Sequence, residues 1–124
     1  MLAEIGAYLA TKNVGAVGTD IFLGLMPDQP DNCIALFEYA GSPPDLHWPG
    51  EYPGLQVRVR DKSYAAARSK IREVMAALHG LHEQTLSGTR YLLIKARGSP
   101  EILKRDASNR IELVLNFEII KESD

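Results

Sequence analysis

Three clusters of side chains in this 124-residue chain have types that could do chemistry, and their spacing decides what each one supports. His79, His82 and Glu83 lie close together, and histidines three residues apart on a helix share a face, as a zinc site requires. A zinc-protease helix, however, sets its two histidines one turn apart with the glutamate between them. Here Gly80 interrupts the run, and His47 is the one further imidazole in the chain. The spacing therefore predicts that His79 and His82 close a helix, where the negative end of its dipole favours them. Asp28, Asp31 and Asn32 offer oxygen ligands for calcium, but Pro27 and Pro30 break the alternate-residue spacing and no bidentate glutamate follows. They read as turn residues. Cys33 sits among Ile34, Leu36 and Phe37 with no basic neighbour, so it is expected to be a small buried hydrophobe and not a nucleophile. Gly15, Gly18 and Gly24 form no phosphate loop, because no Gly-Lys-Ser or Gly-Lys-Thr follows. No catalytic, metal-binding or cofactor-binding residue is predicted, no cofactor is expected, and the chain is not read as an enzyme.

The basic residues Arg58, Arg60, Lys95, Arg97, Lys104, Arg105 and Arg110 fall on outward strand positions or in the arm between the last two strands. A track for nucleic acid would be uniformly basic, whereas Glu101, Asp106, Glu112 and Glu118 interleave with these side chains. Stacking aromatics on the same strands are also missing. Mixed charge of this kind suits contact with another protein, and a nucleic-acid-binding α+β module is the weaker alternative.

Hydrophobic periodicity supplies the elements that position these residues. Leu2, Ile5, Tyr8 and Leu9 recur at helical spacing over residues 1–11, and Asn13 and Gly15 end that helix. Residues 19–26 and 33–40 read as strands, joined as a hairpin through the turn at 27–32. Pro43, Pro44, Pro49 and Pro53, with Gly41, Gly50 and Gly54, predict a long extended loop over 41–54, held by Trp48 and Tyr52. Residues 55–60 alternate cleanly, with Leu55, Val57 and Val59 inward and Gln56, Arg58 and Arg60 outward. Ser63 is a good N-cap for the main helix, which carries Tyr64, Ala67, Ile71, Val74, Met75, Leu78 and Leu81 down one side and stops near Gly80. A polar connection follows over 84–89, and the last two strands span 91–96 and 111–121. The expected fold is α+β: a mainly antiparallel sheet of about five strands, covered on one face by one long helix, plus a short N-terminal helix. Residues 1–124 are expected to form a single domain.

Composition agrees with a folded chain. Hydrophobic residues make up 45%, which excludes whole-chain disorder. The formal charge of −2 provides no global attraction to nucleic acid or to an anionic membrane. A lone cysteine forbids an internal disulfide and points to a reducing compartment. No apolar run approaches the roughly 20 residues needed to cross a bilayer, and the start lacks the features of a secretory signal, so no membrane contact is expected.

The ordered pattern resembles a known family. A Pro27-Asp28 turn leading through Asp31-Asn32 into a strand, the Gly41-Ser42-Pro43-Pro44 loop, the Gln56-Val57-Arg58-Val59-Arg60 strand, and the Asp106 to Arg110 arm before Asn116-Phe117 are similar to those of minor capsid or tail-completion proteins of long-tailed bacteriophages and prophages. Lys104-Arg105-Asp106 stands where the family has Gly-Arg-Asp. Among these proteins the chain is similar to tail terminators. The resemblance implies a structural virion protein that forms a homo-oligomeric, hexameric ring at the head-proximal end of the tail tube. That ring would end tube polymerisation and join the tail to the head connector. Its partners would be the tail tube protein and the connector or neck protein, with DNA passing through the lumen without specific binding. It would be assembled in the host cytoplasm and reside in the virion. A head-closure, neck or minor capsid role is the alternative implied. By the resemblance, Arg58, Arg60, Arg97, Lys104, Arg105, Asp106 and Arg110 would serve subunit or tube contacts. Trp48 and Tyr52 would hold a loop that reaches a neighbour.

Overall fold

The computed structural model describes residues 1–123. Its order is α1 (Leu2–Thr11), β1 (Ile21–Leu23), β2 (Cys33–Ser42), β3 (Gly50–Asp61), α2 (Tyr64–Leu78), β4 (Leu81–Leu86), β5 (Thr89–Ala96), β6 (Glu101–Arg105) and β7 (Ile111–Glu122). The strands form one sheet in the order β1-β2-β3-β7-β5-β4, with β6 also paired to β7.

This corrects the expected α+β architecture. The chain is mostly β, a seven-stranded mixed sheet curled into a half-barrel, and its helices have 10 and 15 residues. No long helix covers an antiparallel sheet. Two strands escaped the periodicity because they are short, polar edge strands. All five residues of β6 are exposed, as are His82 to Thr85 in β4, so neither presents the alternating apolar face by which a strand is recognised. The Pro- and Gly-rich stretch is also more ordered than expected. β2 runs on to Ser42 and β3 begins at Gly50, leaving only 43–49 as a loop. The register shifts between Tyr39 and Ser42, and the ladder accommodates Pro53 across that irregularity.

The expected hairpin between the first two strands is absent. β1 pairs with β2 in parallel, with Ile21 opposite Ile34 and Leu23 opposite Leu36. Gly24, at φ +78, turns the chain out of β1, and residues 24–32 carry it back so that β2 restarts in the same direction. The remaining pairs are antiparallel. β7 is the centre of the sheet. One of its edges pairs with β3 from Ile111 to Glu122, and the other is shared by β6 over Ile111–Val114 and β5 over Phe117–Lys121.

The core lies on one face, where Ile5 and Leu9 of α1 and Ala67, Ile71, Val74 and Leu78 of α2 meet Ile34, Leu36, Val57, Val59, Leu113, Leu115 and Phe117. Each fully buried Ile, Leu or Phe contributes about 2 kcal/mol by leaving water. Ser63 caps α2 as the sequence predicts, its hydroxyl accepting from the Ala66 N–H at 3.2 Å, and Gly80 takes φ +83 just beyond the helix. Glu4 fastens α1 to β5 by accepting hydrogen bonds from the hydroxyls of Thr89 (2.5 Å) and Tyr91 (2.7 Å). Among the described residues, no helix is long and apolar enough to cross a membrane.

Candidate subunit-contact surface

The face of the sheet turned away from the helices carries a group of charged strand residues. Strand register sets them in rows, since cross-strand partners share a face. One row runs Cys33, Arg60, Glu112, Lys104, the next Ala35, Arg58, Val114, Glu101, and a third Phe37, Gln56, Asn116. Arg58 lies 5.0 Å over the Phe37 ring and donates from Nε to Gln56 Oε1 at 2.8 Å, while Gln56 Nε2 donates to Asn116 Oδ1 at 3.1 Å. A cation laid over an aromatic face and fixed by a side-chain ladder is held in one orientation without an ion pair. Lys104 stands beside Glu112 at 3.7 Å and remains mostly exposed. An open depression of about 410 Å³ lies between Met26, Phe37, Arg58, Lys104, Asp106 and Glu112.

Two of the seven predicted contact residues are not on the surface. Arg60 and Arg110 are each only 4% exposed. Arg60 donates to the carbonyls of Pro27 (2.6 Å), Pro30 (2.8 Å), Asp31 (3.1 Å) and Asp28 (3.3 Å). Arg110 donates to the Asp28 carbonyl, to Asp28 Oδ1 (3.0 Å), to Asp31 Oδ1 (3.3 Å) and to Asp106 Oδ2 (2.8 Å). Alternation along residues 55–60 placed Arg60 outward, away from the helices, and that side is right. What periodicity could not reveal is the loop at 25–32, which folds across this end of the sheet and covers both guanidiniums. They act there as clamps, because a loop rich in proline has carbonyls to satisfy and few amide donors of its own. Asp106 receives the Arg110 N–H at 2.9 Å, and this bond, with the Arg110 side chain, holds its carboxyl below the usual carboxylate range.

Arg97, Lys104 and Arg105 are exposed. Arg97 donates to the Tyr39 hydroxyl at 3.4 Å, which raises its already high pKa, and Arg105 is steered by the carbonyl and side chain of Asn109, both at 3.2 Å. Lys104 and Arg105 belong to β6, so the charged arm is an edge strand and not a connection. Beside them Ile102 and Leu103 are 60% and 43% exposed, an aliphatic pair that an attention to charge alone had passed over.

Trp48 lies in the 43–49 loop and Tyr52 beside it in β3. Their rings stand 6.4 Å apart, and Trp48 lies against Gly50, where a Cβ would fall 1.4 Å from the indole. Asp45 organises the turn by accepting the His47 N–H (2.8 Å) and the Tyr52 hydroxyl (3.2 Å), in that order the causes that lower its pKa. The loop presents Leu46 at its tip, 92% exposed.

The remaining candidates have structural tasks. His79 Nδ1 accepts the Ala96 N–H at 3.0 Å, and the His82 ring lies 3.1 Å from the Gly80 carbonyl. His82 stands in β4 and so does not close the helix as predicted. Among the described residues no group of His, Cys, Asp and Glu is arranged to hold a metal. Cys33 is buried, and burial pushes its thiol pKa up. Asp28 and Asp31 pair with Arg110, and Asp31 also with Lys62 at 3.4 Å. Lys121, buried at the far end of β7, reaches Glu51 at 3.0 Å, a pair separated by 70 positions and without a local signal in the sequence.

Among curated proteins none matches this sequence. A solved structure, the virion of a native gene transfer agent (GTA) particle, contains a chain similar in fold, with TM-score 0.67 and 18% identity over 96% of this chain and 84% of that one. A sequence model of the bacteriophage tail terminator proteins matches residues 8–123, every strand included, and the chain belongs to that family.

Proposed function

We propose that the protein is a structural, non-catalytic virion component. It assembles as a homo-oligomeric ring, a hexamer, at the head-proximal end of a tail tube, ends tube growth there, and joins the tail to the head connector. Family membership supports a tail or head-tail structural role. The observation that carries the finer reading is the open edge of the sheet at β6, whose five residues are all exposed and combine aliphatic with charged side chains. A ring needs heterologous contacts, in which two different patches of each subunit meet, and an open edge on one side of the sheet with a projecting loop elsewhere supplies two such patches. Arg58, Arg97, Lys104 and Arg105 serve these contacts directly. Asp106, Arg60 and Arg110 act through the loop they secure. The loop bearing Leu46 reaches a neighbour, the tube or the connector. DNA passes through the lumen without specific binding, in keeping with interleaved charge.

Light scattering and electron microscopy with purified tail tubes test this reading. Six-subunit particles, or rings seated on one end of each tube, are the expected outcome. Exchange of Lys104 and Arg105 together for glutamate is expected to leave the fold intact and abolish capping. Strict monomers that leave tube ends open, or full capping by that variant, would reject the role given to the arm.

A further inference from the structure

The sheet has three outer edges, and two are closed to strand addition. β1 has three residues, and both backbone groups of Ile21 are occupied by the preceding turn, its N–H by Ala16 O (3.0 Å) and its carbonyl by Gly18 N–H (2.9 Å). β4 is interrupted by Glu83, a charged residue in left-handed conformation at φ 48. A strand of three residues and a left-handed residue within a strand each keep an edge from pairing with another chain. β6 has neither. It pairs with β7 on one side alone, and its other side is open.

Register assigns its side chains to faces. Glu101 and Lys104 are opposite Val114 and Glu112, on the face away from the helices, whereas Ile102 is opposite Leu113 on the core side. The register shift between Ile102 and Lys104 makes Leu103 an extra residue. Such a bulge lets two consecutive side chains share a face, so Leu103 can join Ile102. The segment Glu101-Ile102-Leu103-Lys104 is therefore complementary to its own reverse. Laid antiparallel against a second copy, it sets each Glu101 opposite the other copy's Lys104 on one face, and each Ile102 opposite the other copy's Leu103 on the opposite face.

We infer that the free chain pairs β6 to β6 with a second copy across a twofold axis, forming an edge-to-edge dimer. Two charge pairs flank a quartet of aliphatic side chains, and the open edge is satisfied by isologous contact. The dimer covers the edge that the ring reading above assigns to assembly, and only in that consequence does it rest on that reading. Subunits entering a ring must first release it.

Sedimentation equilibrium of the full chain, without tubes, is the test. Mass is expected to rise with concentration from the 13.7 kDa monomer to twice that value. Glu101→Lys sets lysine against lysine twice, and Lys104→Glu sets glutamate against glutamate twice. Each is expected to weaken association by about tenfold or more. Mixed together, the two variants are expected to form a heterodimer within about threefold of wild-type affinity, since lysines then face glutamates throughout. Circular dichroism checks that each remains folded. Amide exchange over 101–105 is expected to slow with concentration. A wild-type chain still monomeric at about 1 mM, or reversed variants that fail to pair with each other, would overturn the dimer. Because no tube is present, neither result bears on capping.

Discussion

Arg60 and Arg110, which enter from β3 and from the residue before β7, both donate to the carbonyl oxygen of Asp28. The two guanidiniums thereby share one anchoring point on the loop that crosses the uncovered face. That loop is what lets two consecutive strands lie parallel, so the clamp is part of the topology as well as of the surface.

Replacing Arg60 by alanine leaves the carbonyls of Pro27, Pro30 and Asp31 without their donor in a site water hardly reaches. A loss of about 3 kcal/mol is expected in urea unfolding. Arg110→Ala is expected to destabilise as well. The double variant should lose less than the sum, because both arginines serve Asp28. Additive losses would show that they hold the loop independently.

The Asp106 carboxyl is held low by the Arg110 N–H and side chain, and Asp45 by the His47 N–H and the Tyr52 hydroxyl. A depressed carboxylate adds stability that is present above its unfolded pKa of about 3.9 and lost as pH falls through the folded value. Stability is expected to decline below about pH 4, and Asp106→Asn should flatten part of that decline. Chemical unfolding measured between neutral pH and acid checks the sign. A decline of unchanged slope in the variant would remove Asp106 from the account.

Cys33 is the one thiol in the chain, and burial raises its pKa. It is expected to resist a thiol-reactive dye in the native protein and to react fully in denaturant. Because the folded pKa lies above the unfolded one, this group's contribution to stability is complete below the unfolded value and is lost as pH rises through the folded one. Rapid native labelling would show that the strand opens around it.

Gly50 lies beneath the Trp48 indole with no space for a methyl group. Gly50→Ala is expected to displace the ring and change the emission of the chain's one tryptophan, with the loop carrying Leu46 loosened. Far-ultraviolet circular dichroism should stay close to wild type, since the strands end at this loop. An unchanged emission spectrum would mean that the indole is not seated on Gly50.

Where burial follows local periodicity, the sequence was sufficient. Leu55, Val57 and Val59 alternate inward, Ala67, Ile71, Val74 and Leu78 of the expected stripe are buried on α2, and Ser63 caps it, whereas Tyr64 of that stripe is exposed and Leu81 lies in β4. The ordered motifs from Pro27 to Phe117 were enough to place the chain near the tail proteins, and the family match over 8–123 agrees. Short exposed strands were illegible, because β4 and β6 become strands through a neighbour's hydrogen bonds and not through an apolar face of their own. The parallel pairing of β1 and β2 was equally hidden, since a turn between two apolar runs reads the same whether the chain reverses or returns. Charge was legible in kind but not in place. An arginine on an outward strand position is solvated or buried according to whether another segment covers it, and only the tertiary structure folds the 25–32 loop over Arg60 and Arg110 while leaving Lys104 and Arg105 in water.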